Sequence, residues 1–195
     1  MSTAELSNRM KKFSGSPTSA LQVRVAELKR QGKNIVSLSV GEPDFDTPDY
    51  IKQGAIQAIK EGFTKYTTSN GIFELREAIA NKLVKENGIQ VTPDNICNAV
   101  GAKQAVYSSL MVLCDENDEV IIPVPCWVSY TEMVRLSGAT PVLVSCNEDF
   151  TLDLDAIQAA ITDRTKAIII CTPNNPTGVV YSEESLRALM DLAIE

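Results

Sequence analysis

From Gly88 onward, apolar runs of strand length alternate with stretches whose apolar residues recur at helical spacing, and this alternation constrains the fold most. The strand-like runs cover residues 96–100, 120–124, 140–145 and 166–171. Between them lie helical stretches at 101–113 and 126–136, the second followed by Gly138, and a helix from Asp153 that carries Leu154, Ile157 and Ile161. A last helix begins near Ser182, an N-cap with Glu183 and Glu184 in the first turn, where acidic side chains favour the helix dipole. Strands joined by helices of this length need crossovers, so the class is α/β with a largely parallel sheet.

Upstream, residues 19–30 form a helix closed by Gly32, and 35–40 are strand-like. A turn-rich loop at 41–48 leads into a helix ending near Gly62. A further helix at 72–87, closed by Gly88, carries apolar residues at 72, 75, 79 and 83, with Leu75, Ile79 and Leu83 assigned to a core or an interface. The tract 64–71 between these helices is too polar for a core and belongs on a surface.

Composition narrows the chemistry. The chain has 195 residues, 44% hydrophobic and 22% charged, which is enough for one domain or one and a part with a real core. It has no histidine, so a Ser-His-Asp triad, a Cys-His pair, HExxH zinc and mixed cysteine–histidine zinc sites are excluded within it. Acid–base work then falls to a lysine, carboxylate, cysteine, tyrosine or cofactor. Five cysteines with no CxxC pair argue for reduced thiols and against a disulfide framework or a metal centre. A net charge of −7 argues against a nucleic-acid partner. The absence of a long apolar run or an apolar leader points to a soluble, cytoplasmic protein with no membrane role.

Three loops follow strands of the predicted sheet. At Val100-Gly101-Ala102-Lys103-Gln104 a strand turns through glycine into a helix, whose first N–H groups suit a phosphate, though the spacing matches neither a Walker loop nor GxGxxG. Pro125-Cys126-Trp127 carries the only tryptophan, which taken by itself is core filling. Pro173-Asn174-Asn175-Pro176-Thr177-Gly178 is dense in turn residues, and from composition alone it is a turn held by its own Asn side chains. Together the three offer a phosphate cradle, an aromatic plate and an amide donor where α/β sheets collect ligands.

In those segments, and in Gly41-Glu42-Pro43-Asp44-Phe45, Thr64-Lys65-Tyr66, Gly71-Ile72-Phe73-Glu74-Leu75-Arg76 and Trp127-Val128-Ser129-Tyr130, the chain resembles the class I/II aminotransferases. These are fold-type I enzymes using pyridoxal 5′-phosphate, and the chain is most similar to the bacterial aspartate aminotransferase subgroup. The resemblance implies a three-layer α/β/α fold with a mostly parallel sheet. It implies an amino-terminal arm and small-domain segment at 1–47, with 48–195 the first part of the large cofactor domain. It implies that the Gly101, Ala102 and Lys103 backbone cradles the cofactor phosphate, that Trp127 stacks on the pyridine ring, and that Asn175, with a cis peptide to Pro176, bonds the ring hydroxyl oxygen. Tyr66 would reach the neighbouring subunit's phosphate in a homodimer, and Gly41 would offer its N–H to the substrate carboxylate, with Trp127 and Asn175 also facing substrate. The implied reaction moves an amino group between an amino acid, aspartate-type, and a 2-oxo acid. The family's Schiff-base lysine, its pyridine-pairing Asp and its substrate-binding arginine belong to later segments that do not occur here, so no catalytic residue is assigned, and the chain alone is expected to be inactive. The alternative is a non-catalytic fragment that binds a partner subunit or has no role.

Overall fold

A computed structural model describes residues 5, 7–11, 17–38 and 41–194. In chain order its helices and strands are α1 (Asn8–Lys11), α2 (Pro17–Arg30), α3 (Asp49–Lys60), α4 (Phe73–Asn87), a 3₁₀ turn (Pro93–Asn95), α5 (Gly101–Leu113), β1 (Glu119–Val124), α6 (Ser129–Ser137), β2 (Thr140–Ser145), α7 (Leu154–Ala160), β3 (Thr165–Ile168) and α8 (Glu183–Ile194). They divide into two compact units, one of Ala20–Gly101 and one running from Ala102 onward with the described residues before Ala20.

In the Ala20–Gly101 unit, Gly88 ends α4 in the left-handed conformation at φ 71°, as its position in the sequence predicts. The buried side chains of α4 are Arg76 and Ala80; Ile79 and Leu83 are half-buried, and Leu75 is exposed in the single chain, where of its two expected places the core does not include it. Arg76 occupies the inward face because its fork has fixed partners. Its Nε donates to Gly71 O at 3.2 Å and its Nη1 to Pro93 O at 2.7 Å, with the Asp94 carboxylate 3.7 Å away.

Among the described residues, neither strand expected here forms. Residues 35–38 are outside any strand, and Ser39 and Val40 lie outside the described residues. Residues 96–100 lie outside any strand, and Asn98 donates its N–H to Asn70 O at 3.0 Å. An apolar run becomes a strand only by pairing its backbone, which pattern alone does not decide.

In the second unit, three parallel strands take the order β2-β1-β3. The central strand β1 is covered on both faces, which explains its unbroken apolar run, and Val120, Ile121 and Ile122 are fully buried. Alternation divides them between two layers. Val120 and Ile122 pack with Leu110 of α5 and with Met133 and Val134 of α6. Ile121 packs with Val144 of β2, Ile157 of α7 and Leu189 of α8. The result is the three-layer parallel α/β arrangement expected from the sequence. Asp153 caps α7 by accepting from Ala156 N at 2.9 Å, and Ser182 Oγ accepts from Ser185 N at 3.1 Å at the predicted start of α8.

β3 is shorter than the predicted strand, and Pro123 supplies the reason. Glu119 N–H donates to Arg164 O at 2.8 Å and Ile169 N–H to Ile121 O at 3.0 Å, so the odd-numbered residues of β1 face β3. The next such residue is Pro123, which has no N–H to offer. The ladder therefore ends at Ile121 and Ile168, and the two chains are free to part beyond it. Helix α6 also starts later than the sequence pattern predicts, because residues 126–128 form the turn out of β1.

The amino ends of β1 and β3 are clamped by one carboxylate. Glu119 accepts from Thr162 Oγ1 at 2.7 Å and from Arg164 Nε at 3.0 Å, and these bonds hold its carboxyl below the ordinary glutamate range. A depressed folded pKa gives stability that is present above the unfolded value, about 4.3, and lost as pH falls through it toward the folded one. Glu119→Gln should therefore lower the urea midpoint at pH 7, with the gap to the native chain closing as pH falls below 4.3. A gap that stays constant with pH would count against the clamp.

Candidate functional site

The connections reverse at β1. Helix α6 carries the chain from β1 to β2 over one face, and α7 carries it back across the other face to β3, on the opposite flank of β1. After β3 the chain leaves over that second face through α8. The chain thus leaves β1 and β3 over opposite faces, and in such sheets the usual ligand position lies outside the carboxyl ends of strands related in this way.

Trp127, in the β1 loop, is half-buried against the α5/α6 core and makes an edge contact with Tyr130, with ring centroids 5.3 Å apart. Lys103, in the first turn of α5, places Nζ 4.9 Å from the centroid of the Trp127 ring. Such a cation over an exposed indole contributes about 0.5–1 kcal/mol. Gly101 begins α5 at φ 80° with no atom within 4 Å of where a Cβ would stand. Gly101, Ala102 and Lys103 are all exposed, and the start of a helix leaves N–H groups facing outward with the dipole's positive end.

The β3 loop separates its two asparagines. Asn174 is buried: its Nδ2 donates to Pro125 O at 3.0 Å and to Thr177 Oγ1 at 2.9 Å, while its backbone carbonyl accepts from Gly178 N at 2.7 Å. It closes its own turn and ties that turn to the β1 loop beside Trp127. Asn175 is exposed, and its peptide bond to Pro176 is cis, as are Thr172–Pro173 and Val124–Pro125. The turn held by its own Asn and the outward amide are therefore both present, on adjacent residues.

Two cross-strand relations were not legible in the sequence: the Asn174 bridge and the Lys103 contact with Trp127. Adjacent asparagines give no signal of which one is turned inward. Asn174→Ala should cost about 1–3 kcal/mol, because Pro125 O loses this donor in a part-buried setting. Urea unfolding measures the loss, and acrylamide quenching of Trp127 should rise as the β1 loop loosens. Unchanged quenching would separate the tie from the position of the ring.

The neighbouring thiols and phenols are held neutral. Burial pushes the Cys126 and Cys146 thiols up, and it drives Tyr130 and Tyr181 to about 12, with Cys171 and Cys146 respectively adding to the effect. Cys126 packs against the α5/α6 core, as expected of a small core residue. Tyr66 and Gly41 belong to the Ala20–Gly101 unit, where both are exposed. Among the described residues no helix is long and apolar enough to cross a membrane.

The reversed connections define a doubly wound α/β unit, and the switch point of such a sheet is its usual ligand position. The family profile "Aminotransferase class I and II" matches residues 33–195, and the chain belongs to that family. A probable aspartate/prephenate aminotransferase of Thermus aquaticus is 48% identical over 192 residues, covering 97% of this chain and 50% of that protein. The aspartate/prephenate aminotransferase of Thermus thermophilus is 47% identical over the same length and shares. The solved structure of an aspartate aminotransferase from Thermus thermophilus with maleate superposes with a TM-score of 0.95 at 46% identity, covering 98% of this chain and 51% of that one. An alanine aminotransferase from Pyrococcus furiosus gives 0.90 at 34%, covering 97% and 49%. The chain spans about half the length of the curated relatives it matches.

Proposed function

We propose that this chain is the amino-terminal half of the site of a pyridoxal 5′-phosphate-dependent aminotransferase acting on an aspartate-type amino acid and a 2-oxo acid. The family depends on that cofactor, and the relatives' names favour acidic substrates. The observation that carries the reading is the Asn174 bridge, which fixes the Asn175 loop against the Trp127 loop across the β1/β3 crevice.

The residues present fit the cofactor's chemistry. The outward N–H groups at the start of α5, in Gly101, Ala102 and Lys103, suit a phosphate dianion. The Trp127 face suits a flat heteroaromatic ring, and the exposed Asn175 amide suits a ring hydroxyl oxygen. Bound pyridoxal phosphate supplies an electron sink for charge developing at a substrate carbon. The chain's own part is to bind and orient: α5 anchors the anion, Trp127 sets the ring plane, and Asn175 fixes its rotation. The Lys103 ammonium leaves the indole face when a ring takes that face, and its charge then adds to the anion's binding. In this reading, residues 1–47 are an arm and small-domain segment and 48–195 begin the large domain. Gly41 offers an N–H to the substrate carboxylate, and Tyr66 reaches the phosphate held by a second subunit of a cytoplasmic homodimer.

Trp127 is the only tryptophan, so its fluorescence reports on the site alone. Titration with pyridoxal 5′-phosphate should quench it saturably, with competition from inorganic phosphate and a weaker response to unphosphorylated pyridoxal. Borohydride should then label no lysine stoichiometrically, and the chain alone should not turn over substrate. Absence of saturable quenching would overturn the assignment of this crevice.

A further inference from the structure

The sequence holds two Asn-Gly pairs, Asn70-Gly71 and Asn87-Gly88, and neither has an assigned part in the proposed cofactor site. In such a pair the backbone nitrogen after the asparagine has no side chain beside it, so it reaches the asparagine's amide carbon with little hindrance. The attack is intramolecular and closes a small ring, which gives it a high effective concentration. Asn87 and Gly88 are both exposed, at the left-handed carboxyl end of α4. No atom lies within 4 Å of where a Gly88 Cβ would stand, so a closing ring has room. The Lys82 ammonium donates to Asn87 Oδ1 at 2.7 Å, with the Glu86 carboxylate 3.8 Å from the same ammonium. Negative charge gathers on that amide oxygen when a nitrogen adds to the carbon, so the cation stands where it stabilises the addition.

The other pair has the opposite setting. Asn70 and Gly71 are half-buried. The Asn70 carbonyl accepts from Asn98 N at 3.0 Å, and Gly71 N, the atom that would attack, donates to Thr68 O at 3.0 Å. The Gly71 carbonyl is held by Thr68 Oγ1 at 2.6 Å and by Arg76 Nε at 3.2 Å. The Asn98 side chain crowds Gly71, with Nδ2 only 2.0 Å from where a Cβ would stand. Turning this peptide into a ring breaks several of these bonds at once.

We propose that Asn87 is a spontaneous modification site of the folded chain, converting to aspartyl and isoaspartyl forms with Lys82 assisting ring closure, while Asn70 is held intact. In the first step Gly88 N bonds to Asn87 Cγ, the bond from Cγ to the side-chain nitrogen breaks, and that nitrogen leaves as ammonia with the Gly88 proton. Water then adds to either carbonyl of the resulting succinimide and opens it, so one water is consumed, one ammonia is released and nothing is oxidised or reduced. The product adds one negative charge to a net of −7. The helix dipole disfavours that charge at the carboxyl end of α4, and the Lys82 ammonium partners it. The isoaspartyl form also lengthens the main chain by one methylene ahead of Gly88, which disturbs the closing bond from Ile89 N to Leu83 O. None of this depends on a cofactor or on the reading of the site.

The test ages the purified 195-residue chain at neutral pH and follows both asparagines by peptide mass mapping, with enzymatic methylation to count isoaspartyl groups. Asn87 should convert roughly tenfold or more faster than Asn70, whose peptide must first open locally. Lys82→Ala should slow Asn87 by about two- to fivefold, the factor an exposed charge contact carries, and Lys82→Arg should keep the rate. Lys82 is exposed, so neither variant disturbs the core. In urea, with the chain unfolded, the two asparagines should convert at similar rates and Lys82→Ala should change nothing. Equal rates in the folded chain, a difference between the two sites that persists in urea, or an unchanged Asn87 rate in folded Lys82→Ala would each overturn the proposal.

Discussion

Gly71→Ala should destabilise the Ala20–Gly101 unit by about 2–5 kcal/mol, combining the strain of a left-handed alanine with the cost of overpacking. Gly71 sits at φ 101°, and a Cβ there would stand 2.0 Å from Asn98 Nδ2, 2.7 Å from its Cγ and 3.0 Å from its Cβ. Rotation of the Asn98 side chain cannot relieve its Cβ contact, because the backbone N–H bonded to Asn70 O holds that residue in place. The carbonyl of Gly71 also accepts from Thr68 Oγ1 at 2.6 Å and from Arg76 Nε, so a shift in this residue releases both ends of the loop that carries Tyr66. Hydrogen exchange in α4 is the suitable probe, since Trp127 belongs to the other unit. Adding Asn98→Ala removes the two shortest contacts and should recover the steric part of the loss, leaving the backbone part. Exchange in α4 unchanged in the single variant would contradict the close approach.

Ile121→Ala and Ile122→Ala form the second large prediction. Each side chain is fully buried, and truncation should cost about 2–5 kcal/mol, lowering the urea midpoint accordingly. The two residues are neighbours in sequence and similar in chemistry, yet they belong to different layers. Ile121→Ala should accelerate exchange in α7 and α8, and Ile122→Ala in α5 and α6. The same exchange pattern in both variants would refute the division of the core.

The layered core was legible because alternation along β1 and helical spacing on either side of it point to one arrangement. The failures have a common physical origin. Residues 96–100 have the composition of a strand, but strand formation needs a partner backbone, and their observed backbone bond runs to Asn70. The early end of β3 is written in Pro123, a residue of a different strand, and becomes readable only once the register is known. On α4 the spacing of 72, 75, 79 and 83 marks a face for a core or an interface but gives no sign that Arg76 is buried within the chain, since that depends on the carbonyls of Gly71 and Pro93. The sequence located the loops that follow β1 and β3, and the resemblance singled out Asn175. It could not say that Asn174 holds the loops in place, since that role depends on a contact with Pro125 across the sheet.

The Asn174 to Pro125 bridge spans 49 positions of the chain, and this has a consequence for biosynthesis. A polypeptide emerging amino end first can pair β1 with β2 while β3 is still being made. Until then β1 is a terminal strand with one flank bare, and the Pro125 carbonyl waits for its donor. Closing a loop of that size precedes any contact it brings, which places the step late in folding. On the proposed reading of the site, competence to hold a ligand is therefore acquired at the moment β3 docks and turns β1 from an outer strand into a central one. A ribosome-stalled chain ending before residue 165 would carry a folded β1–β2 pair that no ligand can yet occupy.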